Sequence, residues 1–270
     1  MSEQEDAVTD LSGAGVLAGI HWAGTSAYWK TMDDYDPKTG HKPGWVGYTA
    51  HSLLCDRLDR VFSCGDFHLP VGLPAGAGMD IVKEGLPAED ADSMPYIEPG
   101  LVSYSPLNGS PGWKFGSWRW LLQSFQFGES RKIPWARMSA TKRRVASYQN
   151  PDQPDIFGNT GLPPEGFGSE PAITHSENEE EDTITTLVLA HSIHRELRRR
   201  EFLLGRPNRA RGQAWHWNYN LMRNPPDFPG GRQVGGSPQP YTPNPNDVVS
   251  DAPLRLRQEP QKSKNEETSD

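Results

Sequence analysis

Cysteine is almost missing from this chain: Cys55 and Cys64 are the only two in 270 residues, and they stand nine apart. That leaves no disulfide framework and makes a reducing compartment the expectation. No run of 18 or more apolar residues occurs, so no membrane-spanning helix is expected. Residues 1–10 hold Glu3, Glu5, Asp6 and Asp10 and no base, which fits neither a secretory signal nor a transit peptide. A cytoplasmic protein, or one within a cytoplasmic particle, is expected. Also missing are the phosphate loop G-x-x-x-x-G-K-[ST], the G-x-S-x-G elbow and any C-x-x-C pair. Hydrophobic residues reach only 34%, while Gly (27) and Pro (25) together take about a fifth of the positions, so a core running the full length is not expected. Nine Trp, nine Phe and eight Tyr nevertheless argue against global disorder.

What is present is charge in blocks. The net charge of −8 conceals an acidic stretch over residues 1–110, with 6 Lys/Arg against 16 Asp/Glu. Residues 111–148 carry Lys114, Arg119, Arg131, Lys132, Arg137, Lys142, Arg143 and Arg144 against Glu129 alone. Residues 149–182 reverse the sign again, with nine acids and no base, and residues 183–213 hold seven Arg against Glu196 and Glu201. Salt confines each block's field to roughly 8–10 Å, so the pattern says more than the total.

Along the chain, 11–30 is rich in Gly and Ala. Its G-x-G-x-x-x-G spacing is one residue too long for a dinucleotide fingerprint, and it reads as a close-packed turn or small-residue surface. Residues 49–62 predict a helix burying Leu54, Leu58, Val61 and Phe62, capped by Thr49 or Ser52, with Asp56, Arg57, Asp59 and Arg60 toward solvent. Short strands are expected at 79–83 and 101–105. In the aromatic stretch 113–127, Trp118, Leu121, Leu122 and Phe125 fall at helical spacing behind Ser117. A short helix over 139–148 starts at Ser139 and exposes Lys142, Arg143 and Arg144. Residues 149–181 read as an acidic, Pro/Gly-rich linker. The spacing over 182–204, with Asp182 ahead, arginines near the end and Gly205 after, predicts a helix carrying Ala190, Ile193, Leu197 and Leu204 on one face. Trp215, Trp217, Tyr219 and Leu221 alternate as on a half-buried strand. The expected domains are a folded region at 1–148, the linker, a helix plus aromatic strand packing on that region at 182–222, and an extended Pro/Gly-rich tail at 223–270. The expected class is a small, irregular α+β fold with three or four helices, a few short strands and a long C-terminal arm.

No constellation names a reaction. His191 and His194, with Glu196 nearby, are too few for a zinc site and read as buried, hydrogen-bonded histidines; His175 and His216 add no register. Asp33, Asp34 and Asp36 miss the calcium-loop register, since Thr39 stands where the Gly should be. Cys55 beside a histidine is the least specific of nucleophile patterns. No catalytic residue, metal or cofactor is assigned. Bases interleaved with aromatics are a footprint for a polyanion or an acidic partner, and Lys114, Arg131, Lys132, Arg137, Lys142, Arg143, Arg144, Arg198 and Arg199 are the candidate contacts. The leading expectation is a structural or interaction subunit of a large assembly, such as a capsid-associated or virion-decorating protein. It would dock on other protein subunits or copies of itself through charge blocks and an extended arm. An RNA- or single-strand-binding accessory protein is the alternative, and an enzyme with an unrecognised site the third.

Overall fold

The computed structural model describes residues 2–147, 183–194, 196, 198–210 and 212–226. Helix α1 (Glu3–Gly13) begins at Ser2, whose hydroxyl accepts from Glu5 N at 3.3 Å while the Glu5 carboxylate accepts from Ser2 N at 2.9 Å. This reciprocal cap satisfies two orphan donors, and Glu3, Glu5 and Asp6 face the positive end of the dipole. Gly15, at φ 74°, turns the chain into helix α2 (Val16–Asp34). The Gly/Ala-rich stretch is therefore a helix and not a turn or surface. Small residues let it lie close to its neighbours: a Cβ on Gly19 would stand 2.8 Å from Ile97 and 2.9 Å from Phe62.

Helix α3 (Pro43–Val61) buries the four expected residues through Phe62, but it begins earlier than its spacing indicated. Pro43 opens it at the position where a missing N–H costs nothing, and neither Thr49 nor Ser52 caps it. Arg57 and Arg60 do not face solvent. Arg57 is buried, donating to Ser26 Oγ at 2.9 Å, and Ser26 donates to Asp90 at 2.7 Å. Arg60 donates to the Val82 and Glu84 carbonyls at 2.9 and 2.8 Å and lies over the Phe67 ring. These bonds fasten the irregular stretch after α3, where helix α4 (Met79–Lys83) replaces the strand expected there and helix α5 (Ala88–Ser93) follows.

A six-stranded mixed sheet comes next, its strands in chain order: β1 (Ser103–Tyr104), β2 (Gly112–Phe115), β3 (Trp118–Ser124), β4 (Thr185–His194), β5 (Arg199–Pro207) and β6 (Trp215–Asn220). Neighbours are antiparallel except β3 and β4, which run parallel from Trp118↔Thr185 to Ser124↔His191. A parallel pair needs a long crossover, and this one contains helix α6 (Ala140–Val145), capped by Ser139 as expected. Residues on both sides of 149–181 thus share one sheet. That linker lies outside the described residues, as do the tail from 227 on and Leu197. The fold is α+β, with six α-helices and six strands among the described residues.

Two of the helices expected from spacing, over 113–127 and in the stretch after 182, are strands. Residues 113–127 form a hairpin in which Gly116, at φ 53°, and Ser117 make a two-residue turn between Phe115 and Trp118. In place of the helix expected over 182–204, β4 and β5 pair antiparallel, from Val188↔Gly205 to His194↔Arg199. The cause is burial on both faces. Trp118, Trp120, Leu122, Leu187 and Leu189 pack under the helices, while Leu121, Val188, Ala190 and Leu203 pack under Ile133, Trp135 and Val145 of the crossover. A strand buried on both sides loses its alternation, and the remaining apolar run satisfies helical spacing by accident. Thr185, Thr186, Val188 and Ile193 supply the branching that favours a strand. Strand β6 is as expected, with one change: a register shift at Arg206/Pro207 sends Trp215 to the crossover face while Trp217 stays under the helices.

Gly24 lies flat on the Phe202 ring, where a Cβ would approach to 2.5 Å. Helix propensity alone would make Gly24→Ala stabilising by about 1 kcal/mol. We expect destabilisation by about 1–3 kcal/mol, because Phe202 is fully buried and has nowhere to move. Urea denaturation measures the sign, and a gain in stability would mean that α2 does not sit on β5 as described.

Candidate functional site

At the carboxyl ends of the parallel strands, three elements bring polar side chains together. Tyr28 from α2 places its hydroxyl 2.7 Å from His191 Nδ1 on β4, and His191 Nε2 lies 3.3 Å from His51 Nδ1 on α3. One helical turn on, Cys55 Sγ is 4.0 Å from His51 Nε2. Tyr28 and His191 are 3% and 1% exposed, so the centre of this line is shut off from bulk water. Burial, His51 and Lys142 push His191 down to about 3, and burial and Lys142 lower His51 too. Burial raises the Tyr28 phenol above its ordinary range. Phenol and imidazoles are accordingly uncharged at neutral pH, and the line has two tautomers. In one, Tyr28 donates to His191, which donates to His51. In the other, His51 donates to His191 and His191 donates to Tyr28, leaving the phenol proton to point elsewhere.

The buried, hydrogen-bonded reading of His191 holds, although it stands on a strand and not a helix. An odd spacing on a strand sends His194 to the opposite face, where Phe127 meets it edge-on at 5.5 Å. Cys55 is no activated nucleophile: burial, Asp59 and Asp56 push its thiol up to about 12, so the reactive thiolate is not formed. Burial likewise lifts Asp59 to about 6, with Asp66 and Asp56 adding to it and the bond from Trp113 opposing it. Tyr28 and His51 carried no local signal, since they lie 163 and 140 residues from His191 in sequence.

Above the line sits a cavity of about 160 Å³ lined by Tyr28, Val46, Ser124, Phe125, His191 and Ile193 among others. Phe125 and Ile193 are shared with a wider cleft of about 700 Å³, bounded further out by Tyr35, Phe127, His194 and Glu196.

The candidate basic contacts divide. Arg131, Lys132, Arg137 and Arg144 are exposed on the crossover, with Lys132 2.9 Å from Glu129, and Arg143 is half-buried beside them. Lys114 is half-buried on β2. Lys142 does not belong to that surface. It is buried, donates to the Leu122 carbonyl and to Gln123 Oε1 at 3.1 Å, and is pulled down to about 8 by burial. Arg198 and Arg199 stand away from the crossover, at the β4–β5 turn; Arg198 lies 3.3 Å from Asp33 and over Trp29 of α2. The aromatic partners of the basic block are mostly core: Trp113, Trp118, Trp120 and Trp135 are buried.

The neutral state of His191 sets a pH dependence. The folded protein leaves it unprotonated down to about pH 3, whereas the unfolded chain protonates it near 6.5. Below pH 6.5 the unfolded state therefore binds the extra proton and stability is lost. Asp59 has the opposite sign, since its raised folded value adds stability at low pH that is lost as pH rises through about 6. His191→Gln removes only the first effect. Its stability deficit relative to the natural chain should shrink by roughly 2 kcal/mol between pH 7.5 and 5. Denaturant midpoints for both proteins across that range test this, and a constant deficit would show that His191 takes up its proton in the folded protein at the same pH as in the unfolded chain.

No protein-family model, no curated protein and no solved structure matches this chain. Among the described residues no helix is long and apolar enough to cross a membrane.

Proposed function

We propose that this protein is an interaction subunit that docks an acidic protein surface, including that of another copy of itself, on its basic crossover face. One observation carries the reading: the sheet separates the charge blocks. The helices α1–α3 and the segment after them cover one face, and that segment exposes Asp66, Asp80, Glu84, Glu89, Asp92 and Glu98. The first part of the crossover, up to Ala146, packs on the other face and exposes Arg131, Lys132, Arg137 and Arg144. Two layers of opposite sign, held apart by a rigid sheet, steer association in one orientation and oppose the reverse.

A single-strand-binding role would draw on exposed aromatics as stacking platforms. The burial of four tryptophans of this block weighs against it, and so does the acidic layer on the opposite face.

The test is the triple variant Arg131→Glu, Arg137→Glu, Arg144→Glu in the full chain. Each side chain is exposed, so folding stability should change by less than about 0.5 kcal/mol per site. Self-association or partner binding, followed by native mass measurement and sedimentation, should weaken at least about tenfold and should be salt-sensitive in the natural chain. Association indifferent to both salt and the variant would refute the reading. Single-stranded RNA binding whose log–log salt slope flattens by about two units in the variant would replace it with the polyanion role.

A further inference from the structure

We propose that the 160 Å³ cavity at the carboxyl ends of β3 and β4 is a binding site for an uncharged, ring-sized group carrying one hydrogen-bonding oxygen, such as a phenol. The argument is independent of the docking face, which lies on the crossover.

Size comes first. A space of about 150 Å³ is enough for one benzene ring, and this pocket of about 160 Å³, open to solvent at Pro43, Gly47 and Ser124, matches it in size. Pro43, Val46, Phe125 and Ile193 form apolar walls for such a ring, and the wider cleft beyond Phe125 and Ile193 leaves room for a substituent. Charge comes second. No charged side chain lines the cavity, and the titratable groups at its floor, Tyr28 and His191, are both neutral. Desolvating a ligand charge there would go uncompensated: Glu201 is already occupied by Ser192 and Gly128 N, and Lys142 by two neutral oxygens.

The polar end supplies the oxygen's partner. His191 has both ring nitrogens engaged, by Tyr28 and by His51, so it offers no atom directly. Tyr28 does. When His51 donates to His191 and His191 donates to Tyr28, the phenol proton is released toward the cavity that Tyr28 lines. When the tautomers reverse, the Tyr28 oxygen still accepts. The relay therefore lets one buried hydroxyl donate to a ketone or accept from a phenol without any group becoming charged, and Cys55 at the far end stays a thiol in either state.

Two substitutions separate the parts. Tyr28→Phe deletes the hydroxyl and keeps the ring. Gly47 lines the cavity, and a Cβ there meets nothing within 4 Å, so Gly47→Leu adds bulk at the cavity wall at a position that suits a helix. Phenol binding to the full chain, followed by calorimetry and by proton–nitrogen NMR shifts, should show a Kd of about 1 mM or tighter. Tyr28→Phe should weaken phenol about fivefold or more and leave benzene within about twofold. Gly47→Leu should weaken both. Three results would overturn the proposal: no phenol binding up to about 20 mM, benzene binding as tightly as phenol, or benzoate or benzylammonium binding more tightly than phenol.

Discussion

The sheet is held to its helices by indole N–H groups reaching carboxylates. Trp118 donates to Asp10 of α1 at 2.9 Å, Trp113 to Asp59 of α3 at 2.8 Å, and Trp217 to Glu3 of α1 at 2.7 Å. Each tryptophan buries a large apolar face, yet carries one donor that burial would otherwise orphan. An aspartate or glutamate answers that donor more strongly than a neutral acceptor does, and it fixes how the helix is rotated over the sheet. The crossover follows the same rule with backbone acceptors: Trp135 donates to the Ala214 carbonyl and Trp215 to that of Ser130. Part of the acidity of the N-terminal half is thus structural. Glu3 is buried between Trp217 and Arg206, and Asp59 is held at a raised value by the burial its role demands.

The parallel β3–β4 pair has two consequences. It requires a long connection, and the first part of that connection, packed on one face through Ile133, Trp135 and Val145, is where the bases of 131–144 lie. It also ends both strands side by side, with the chain leaving in different directions. The space between is filled from α2 and α3, and Tyr28, His51 and His191 meet there because Gly24 and its small neighbours let α2 come close. The centre of the relay stays neutral for the same reason that it titrates so low: charging Tyr28 or His191 would put an uncompensated ion in a buried site.

Features that depend on a few neighbouring residues were legible in the amino-acid order. The burial of Leu54, Leu58, Val61 and Phe62, the Ser139 cap of α6, the alternation in β6 and the buried character of His191 all follow from local spacing or local chemistry. So did the charge blocks and the α+β class. The two hairpins were not legible as such. Their apolar residues repeat at three and four because both faces of the sheet are covered, and only Gly116 with the branched residues of β4 pointed to strands.

Sequence by itself determined where the chain is apolar, where it is charged, and where α6 begins. Tertiary structure alone decided that Lys142 turns inward to the Leu122 carbonyl, that Arg57 is a buried fastener, and that residues 28, 51 and 191 converge. The physical reason is range. Caps and periodicities act over one turn or two residues, whereas desolvation and hydrogen-bond satisfaction depend on what another part of the chain lays on top. A lysine and a histidine spell the same in water and in a core; only the covering layer makes one a buried ammonium and the other a neutral link in a relay.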